Sequence, residues 1–239
     1  MTDEVAGPAP DAPRRRSRLR REALELVATV AVALLVAVLV RTFLVQAFSI
    51  PSPSMEDTLL VQDRVLVSKL EPGPLSVERG DVVVFLDPGG WLAPVVDQPS
   101  VWQRVGTFVG LLPADSGSHL VKRVVGLPGD TVECCDAQGR VLVNGVPLDE
   151  PYLFPGERPS LTEFDVEVPA DRLWVMGDHR SVSADSRAQL DEQGDGFVPL
   201  DNVVGRAVLR IWPLDRLATL PTPAGVFDDV GGLTGVPGP

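Results

Sequence analysis

Little in this chain suits metal or disulfide chemistry. Its 239 residues contain two cysteines and two histidines. Two cysteines exclude a disulfide-dense miniprotein and a multi-Cys zinc module, and two histidines leave little for a metallohydrolase. No cofactor and no metal are expected. Aromatics are scarce at 5%, yet 44% of residues are hydrophobic, enough to bury a sizeable core. Basic charge is also short: 21 Lys and Arg stand against 33 Asp and Glu, a net −12. The shortage is uneven. Residues 1–21 hold six Arg against Asp3, Glu4 and Asp11, a local +3, which leaves the remainder at −15. An acidic body of that size excludes general nucleic-acid binding, which depends on clustered cations. The length suits one medium domain with appendages.

One long apolar run is present. Residues 26–40 are broken only by Thr29. With its flanks, the segment 23–45 spans about 34 Å as a helix, enough for a hydrocarbon core of about 30 Å. Glu25 and Arg41 lie near its ends, where they can snorkel to headgroups. Residues 1–13 are rich in Pro, Ala and Asp without periodic hydrophobicity, and with the block RRRSRLRR they make a disordered, Arg-rich leader over 1–22. Positive-inside bias places that leader in the cytoplasm and everything after residue 46 outside. Two other readings fit parts of the segment. A cleaved signal peptide has similar regions, and Val45-Gln46-Ala47 is a passable cleavage pattern, though signal h-regions run to only about 15 residues. A buried soluble helix is the third reading, but 26–40 has no polar face.

Beyond residue 47 the pattern becomes strand-like. Short Val-rich segments occur at 64–69, 81–86, 119–125, 140–143, 162–168, 172–176 and 203–212, separated by Gly/Pro punctuation. Asn144-Gly145 between VLV and VPL is a hairpin signal of type I′. Many strands without interleaved long helices predict a mainly β, barrel-like domain over 46–220. A long insertion at 87–118 carries Trp91, Trp102 and the apolar stretch 108–112, which suit either a membrane interface or the core. Residues 221–239 have nine Gly or Pro among nineteen, which predicts a disordered tail.

Three polar segments carry candidate chemistry. Ser52 and Ser54 sit in Ile50-Pro51-Ser52-Pro53-Ser54-Met55, where two prolines stiffen the backbone. Taken alone, such a run is ordinarily a juxtamembrane linker. Lys122 shares a strand face with Leu120 and Val124. Burial there lowers an amine's pKa and lets it act as a general base; an edge lysine reaching water fits the same pattern. The third segment runs Gly177-Asp178-His179-Arg180-Ser181-Val182-Ser183-Ala184-Asp185-Ser186-Arg187, a polar loop in which Asp185 and Arg187 can pair.

Together these segments resemble bacterial type I signal peptidases, membrane-bound serine proteases with a Ser/Lys dyad. The serine motif is matched at 50–55 and the lysine motif by Val121-Lys122-Arg123-Val124-Val125-Gly126-Leu127-Pro128-Gly129-Asp130. Arg79-Gly80-Asp81-Val82-Val83-Val84-Phe85 and the 177–187 loop also fit, in family order across roughly 25–212. The resemblance implies Ser54 as nucleophile and Lys122 as general base. It also implies Ser52 as an oxyanion-hole hydroxyl, Ser183 as a partner of the lysine, and Asp185/Arg187 as a structural pair. Pro53 stands where glycine is frequent, and His179, Ser181 and Val182 stand where Asn, Asp and Asn are common. Implied substrates are exported preproteins with small residues before the cleavage site, bound extended beside strands near 48–54 and 119–122. Ser54 lies nine positions after Val45, so the nucleophile stays within about 30 Å of the outer membrane surface.

Two rivals remain at this level. A Ser-His-Asp hydrolase could use His119 or His179, and an anchored β-domain could bind without catalysing. A Ser-x-x-Lys acyltransferase is excluded, because no Lys follows Ser52 or Ser54 at that spacing. Cys134-Cys135 fits either a vicinal bridge or two free thiols.

Overall fold

A computed structural model describes residues 12–92, 118–190 and 195–238. The chain divides into two compact units, Met1–Arg41 and Thr42–Pro239. Helix α1 (Ala12–Phe43) accounts for the described part of the first. Its segment Arg21–Phe43, 23 residues of mean hydropathy 2.7, is long and apolar enough to cross a membrane by length and composition. Thr29 is accommodated because its hydroxyl donates to the Glu25 carbonyl at 2.8 Å, one turn back. The leader expected to be disordered through residue 22 is helical from Ala12, since Ala, Leu and Arg are strong helix formers and Pro13 falls in the first turn. The disorder expected of residues 1–11 lies outside the described residues. The helix ends at Phe43 rather than Val45, because Val45 opens a strand.

The second unit is mainly β, as its Val-rich punctuated sequence predicts. Its strands are β1 (Val45–Ser49), β2 (Arg64–Ser68), β3 (Val77–Glu78), β4 (Val82–Leu86), β5 (His119–Gly126), β6 (Thr131–Cys134), β7 (Val141–Val143), β8 (Val146–Pro147), β9 (Phe164–Glu167), β10 (Arg172–Met176), β11 (Val198–Pro199), β12 (Val203–Trp212), β13 (Ala218–Thr219) and β14 (Gly235–Val236). The main sheet runs β1-β2-β12-β4-β5-β10-β11, with β13 beside β12. A second sheet runs β8-β7-β6-β9. Every pairing is antiparallel. Register shifts at Val203/Gly205, Ala207/Leu209 and Arg210/Trp212 bend β12, letting one strand pair with both β2 and β4. Asn144 and Gly145 adopt φ of 52° and 77° between β7 and β8, the two positive values that a type I′ turn requires.

Alternation explains the core. Along β4, Val82 and Val84 join one apolar cluster with Phe48, Met55 and Leu59, while Val83 and Phe85 join another with Leu120 and Val124. Both faces are covered, so the strand reads as an unbroken hydrophobic run. Trp91 belongs to the second cluster, packed edge-on to Phe85 at 5.8 Å, so it is a core residue rather than an interfacial one. Trp102 and residues 108–112 lie outside the described residues. Cys134 and Cys135 are joined as a vicinal disulfide.

The tail differs from expectation. Val226 and Val230 are only 8% and 7% exposed and pack in the cluster around Trp174, with Phe227 against it. β14 pairs with β3, and Arg79 and Asn144 both donate to the Gly231 carbonyl, at 3.2 and 2.8 Å. Nine Gly and Pro predicted disorder. The three apolar residues between them decide otherwise, because their burial outweighs the entropy of ordering the segment.

Candidate active site

Ser54 is held by a short loop with a closed base. Ile50 N–H donates to Asp63 O at 2.9 Å and Gln62 N–H donates to Ile50 O at 2.8 Å, clasping residues 50–63. Within it, Pro53–Met55 form a single 3-10 turn, closed by Glu56 N–H to Pro53 O at 3.0 Å. Met55 and Leu59 anchor the turn in the core, and Ser54 is 5% exposed.

Lys122 approaches from β5. Val83 lies opposite it on β4, and β10 pairs only with 123–126. The stretch 119–122 therefore has an unpaired edge among the described residues. Lys122 is 3% exposed, and its Nζ donates to Ser54 Oγ at 2.6 Å. Burial pushes the ammonium down to about 8, against a partial upward pull from Asp185 and Asp178 and a further push down from Arg187. Ser52 Oγ lies 3.2 Å from Ser54 Oγ.

The 177–187 loop closes over this pair. His179 N–H donates to Ser54 O at 3.1 Å. Gly177 N–H donates to the Asp185 carboxylate at 2.9 Å, and Arg187 grips the same carboxylate through Nε and Nη2 at 2.9 and 2.8 Å. Burial alone would raise the Asp185 carboxyl, but the bonds and charge of Arg187 and the Gly177 N–H hold it below the usual range. Ser183 departs from the expected contact: its buried hydroxyl makes no bond to the lysine, which turns to Ser54 instead, and it lies on the Asp185 side, where it helps hold that carboxyl low. Gly177 is the only residue type that fits between them, since a Cβ there would collide with Ser183 Oγ and sit 2.5 Å from Ser54 O. Gly177→Ala is expected to displace the Ser54 backbone and cut kcat roughly a hundredfold, because angstrom-scale misplacement costs about that much. Steady-state kinetics on the folded variant, with far- and near-UV spectra unchanged, checks this.

A narrow cleft of about 90 Å³ opens between Ile50–Met55 and 119–122, with Leu92 and His119 also in its wall. The histidines do not assemble a triad on Ser54 from the 177–187 side: the His179 ring nitrogens face Glu56 and Glu157. His119 packs against Phe48, with ring centroids 5.1 Å apart.

Several supporting residues escaped sequence reading. Arg123, next to Lys122, forms a buried double contact with Asp178, whose carboxylate also accepts from Thr58 Oγ1. Arg180 pairs with Glu150, which accepts from Tyr152. The signal was available in part: consecutive strand residues Lys122 and Arg123 point to opposite faces, and an arginine inside an apolar run requires an acid. Which acid it takes is set only in three dimensions.

Comparison with known proteins follows the same lines. The family model described as signal peptidase, peptidase S26, matches residues 23–212. A signal peptidase I of Mycobacterium tuberculosis is 41% identical over 229 residues, covering 85% of this chain and 76% of the relative. One from Leptolyngbya laminosa is 37% identical over 219 residues, covering 91% and 92%. A solved signal peptidase I from Enterococcus faecalis V583 is 26% identical, with TM-score 0.36, covering 55% of this chain and 97% of its own. With four-fifths of its length matched by the family and two-fifths of the aligned residues shared with a named member, this chain belongs to the signal peptidases of peptidase family S26.

Proposed function

We propose that this serine-type signal peptidase cleaves by a Ser54/Lys122 dyad while anchored through α1. Neutral Lys122 takes the Ser54 Oγ proton as the oxygen attacks the scissile carbonyl. Ser52 and the Ser54 N–H stabilise the oxyanion, a kind of donor typically worth about 3 kcal/mol. The C–N bond then breaks and the lysine returns its proton to the leaving amine. Water, activated by the same amine, hydrolyses the acyl-enzyme. Once Ser54 is acylated, Nζ loses its present acceptor, and we assign the buried Ser183 hydroxyl as its replacement. Asp185 and Arg187 hold the loop.

The observation that carries this reading is the 2.6 Å contact between Lys122 Nζ and Ser54 Oγ, made by a lysine that burial has brought to about 8. The cleft supports this substrate class: its small volume favours small side chains before the scissile bond, and the open edge of β5 suits an extended peptide. Segment 23–45 is assigned as a single-pass anchor in a lipid bilayer, with the Arg-rich leader cytoplasmic and 46–220 extracytoplasmic.

The test uses detergent-purified full chain and a preprotein with Ala before its cleavage site. Wild type is expected to release the signal peptide, and Ser54→Ala to lose about a thousandfold or more in kcat. A Ser54→Ala protein that cleaves at the wild-type rate overturns the reading. Because the base must be neutral, kcat/KM should rise with pH and level off above about 8.

A further inference from the structure

One wall of the cleft beside Ser54 comes from outside the serine and lysine segments. Leu92, six residues beyond the end of β4, lines it together with Ile50 and Leu120. A tight turn fixes that leucine. The Asp87 carboxylate accepts three backbone N–H groups: Gly89 at 3.0 Å and Trp91 at 3.1 Å through Oδ1, and Leu92 at 3.2 Å through Oδ2. Asp87 N–H donates in turn to Ser118 O at 3.0 Å, which ties the turn to the start of β5. The neighbouring Trp91 is buried edge-on to Phe85, so the turn is also anchored in the core. Leu92 is half-buried against the same cluster and leaves the rest of its side chain to the cleft.

Strand register gives its level. Val83 lies opposite Lys122, and Phe85 lies opposite Leu120. Trp91 covers Phe85, and Leu92 lines the cleft with Leu120, two residues along β5 from the base. At about 3.3 Å per residue, two positions of β5 and two of a peptide extended along it cover the same distance, about 7 Å. Side chains two apart on such a peptide also share a face. With the scissile carbonyl at Ser54, the side chain that reaches the Leu120 level is the third before the scissile bond.

We propose that Leu92 is a specificity-determining residue, a fixed wall that limits the size of that third side chain. The inference rests on Ser54 as nucleophile and on a preprotein lying extended along 119–122. The whole cleft offers only about 90 Å³. A branched side chain at the third position must therefore press Leu92 back against its cluster, and close-packed cores resist such crowding. The three N–H bonds to Asp87 keep the turn from swinging aside. Leu92 touches no reacting atom. Its effect falls on the choice between substrates.

The experiment measures kcat/KM of full-chain wild type, Leu92→Ala and Leu92→Phe in detergent. The preproteins carry Ala, Val or Leu three residues before the cleavage site, with Ala kept directly before it. Leu92→Ala is expected to shrink the preference for Ala over Leu about tenfold, the scale set by a few methylene groups in a pocket wall. Leu92→Phe is expected to act in the opposite direction, widening the preference for Ala over Val about fivefold. It carries the test should Leu92→Ala not fold. A second series varies the residue directly before the cleavage site, and its ratios should stay within about twofold. Damage to the fold alone lowers every substrate by one factor and leaves all ratios as they were. Ratios unchanged at the third position, or changed equally at both positions, overturn the proposal. Ser54→Ala keeps the two readings apart. If that variant cleaves at the wild-type rate, the nucleophile assignment falls, whereas unchanged ratios with Ser54→Ala inactive remove only the role of Leu92.

Discussion

Lys122→Met is expected to be inactive and more stable than the wild type. Loss of activity follows from removing the only amine in contact with Ser54 Oγ among the described residues. Stability moves the other way. Burial takes the Lys122 amine from 10.5 to about 8, so below pH 8 the folded protein carries a buried ammonium that the unfolded chain keeps in water. That lowering costs about 3 kcal/mol. The sign follows from proton counting: between about 8 and 10.5 the unfolded chain binds the proton and the folded one does not, so wild-type stability rises with pH across that window. Methionine removes the cost, so its advantage should be largest at neutral pH and fade above about 10. Denaturant midpoints at about pH 7 and about pH 10 check it, and a variant less stable at both contradicts the burial argument.

Arg123→Met should do the reverse, unfolding the site by breaking a pair rather than relieving a charge. Arg123 is 3% exposed, bonds Asp178 through Nε at 2.8 Å, donates to Gly80 O at 2.7 Å and lies 4.0 Å over the Tyr152 ring. Its loss leaves the Asp178 carboxylate fully buried with Thr58 as its remaining side-chain donor. Removing one partner of such a pair costs about 3–5 kcal/mol. Pairing the change with Asp178→Leu should restore part of that loss, because no orphan charge remains. A single variant within about 1 kcal/mol of wild type would place this pair with weak surface bridges. Activity should fall with stability, since Asp178 and Thr58 join the 177–187 loop to the turn bearing Ser54.

These two neighbours also show how far the sequence was legible. Period two places Lys122 with Leu120 and Val124; those two apolar residues share a core cluster, and Lys122 between them is buried. Asn144-Gly145 announces its turn through backbone chirality alone. Such signals are local, and local chemistry is readable. The acidic partners of Arg123, Arg180 and His179 lie 22 to 123 positions away in sequence, so spacing carries no trace of them. Ser183 shows a different gap. A motif supplies a residue, but which way its hydroxyl turns depends on competition for one ammonium. In the tail, glycine and proline dominated the composition, and a few apolar side chains outweighed them once a groove was present to receive them.

That tail sets an order of events. β3 cannot pair until residues 235–236 exist, and the slots filled by Val226 and Val230 beside Trp174 stay open until then. A chain delivered N-terminus first must therefore hold a partly open core until residues 226–236 have been made. Contacts between segments so distant in sequence close slowly, because the loop entropy is lost before the pairing is gained. Closure of the core is thus tied to the arrival of residues 226–236, and a ribosome stalled before residue 226 would leave a peptidase domain whose core lacks the apolar layer they supply.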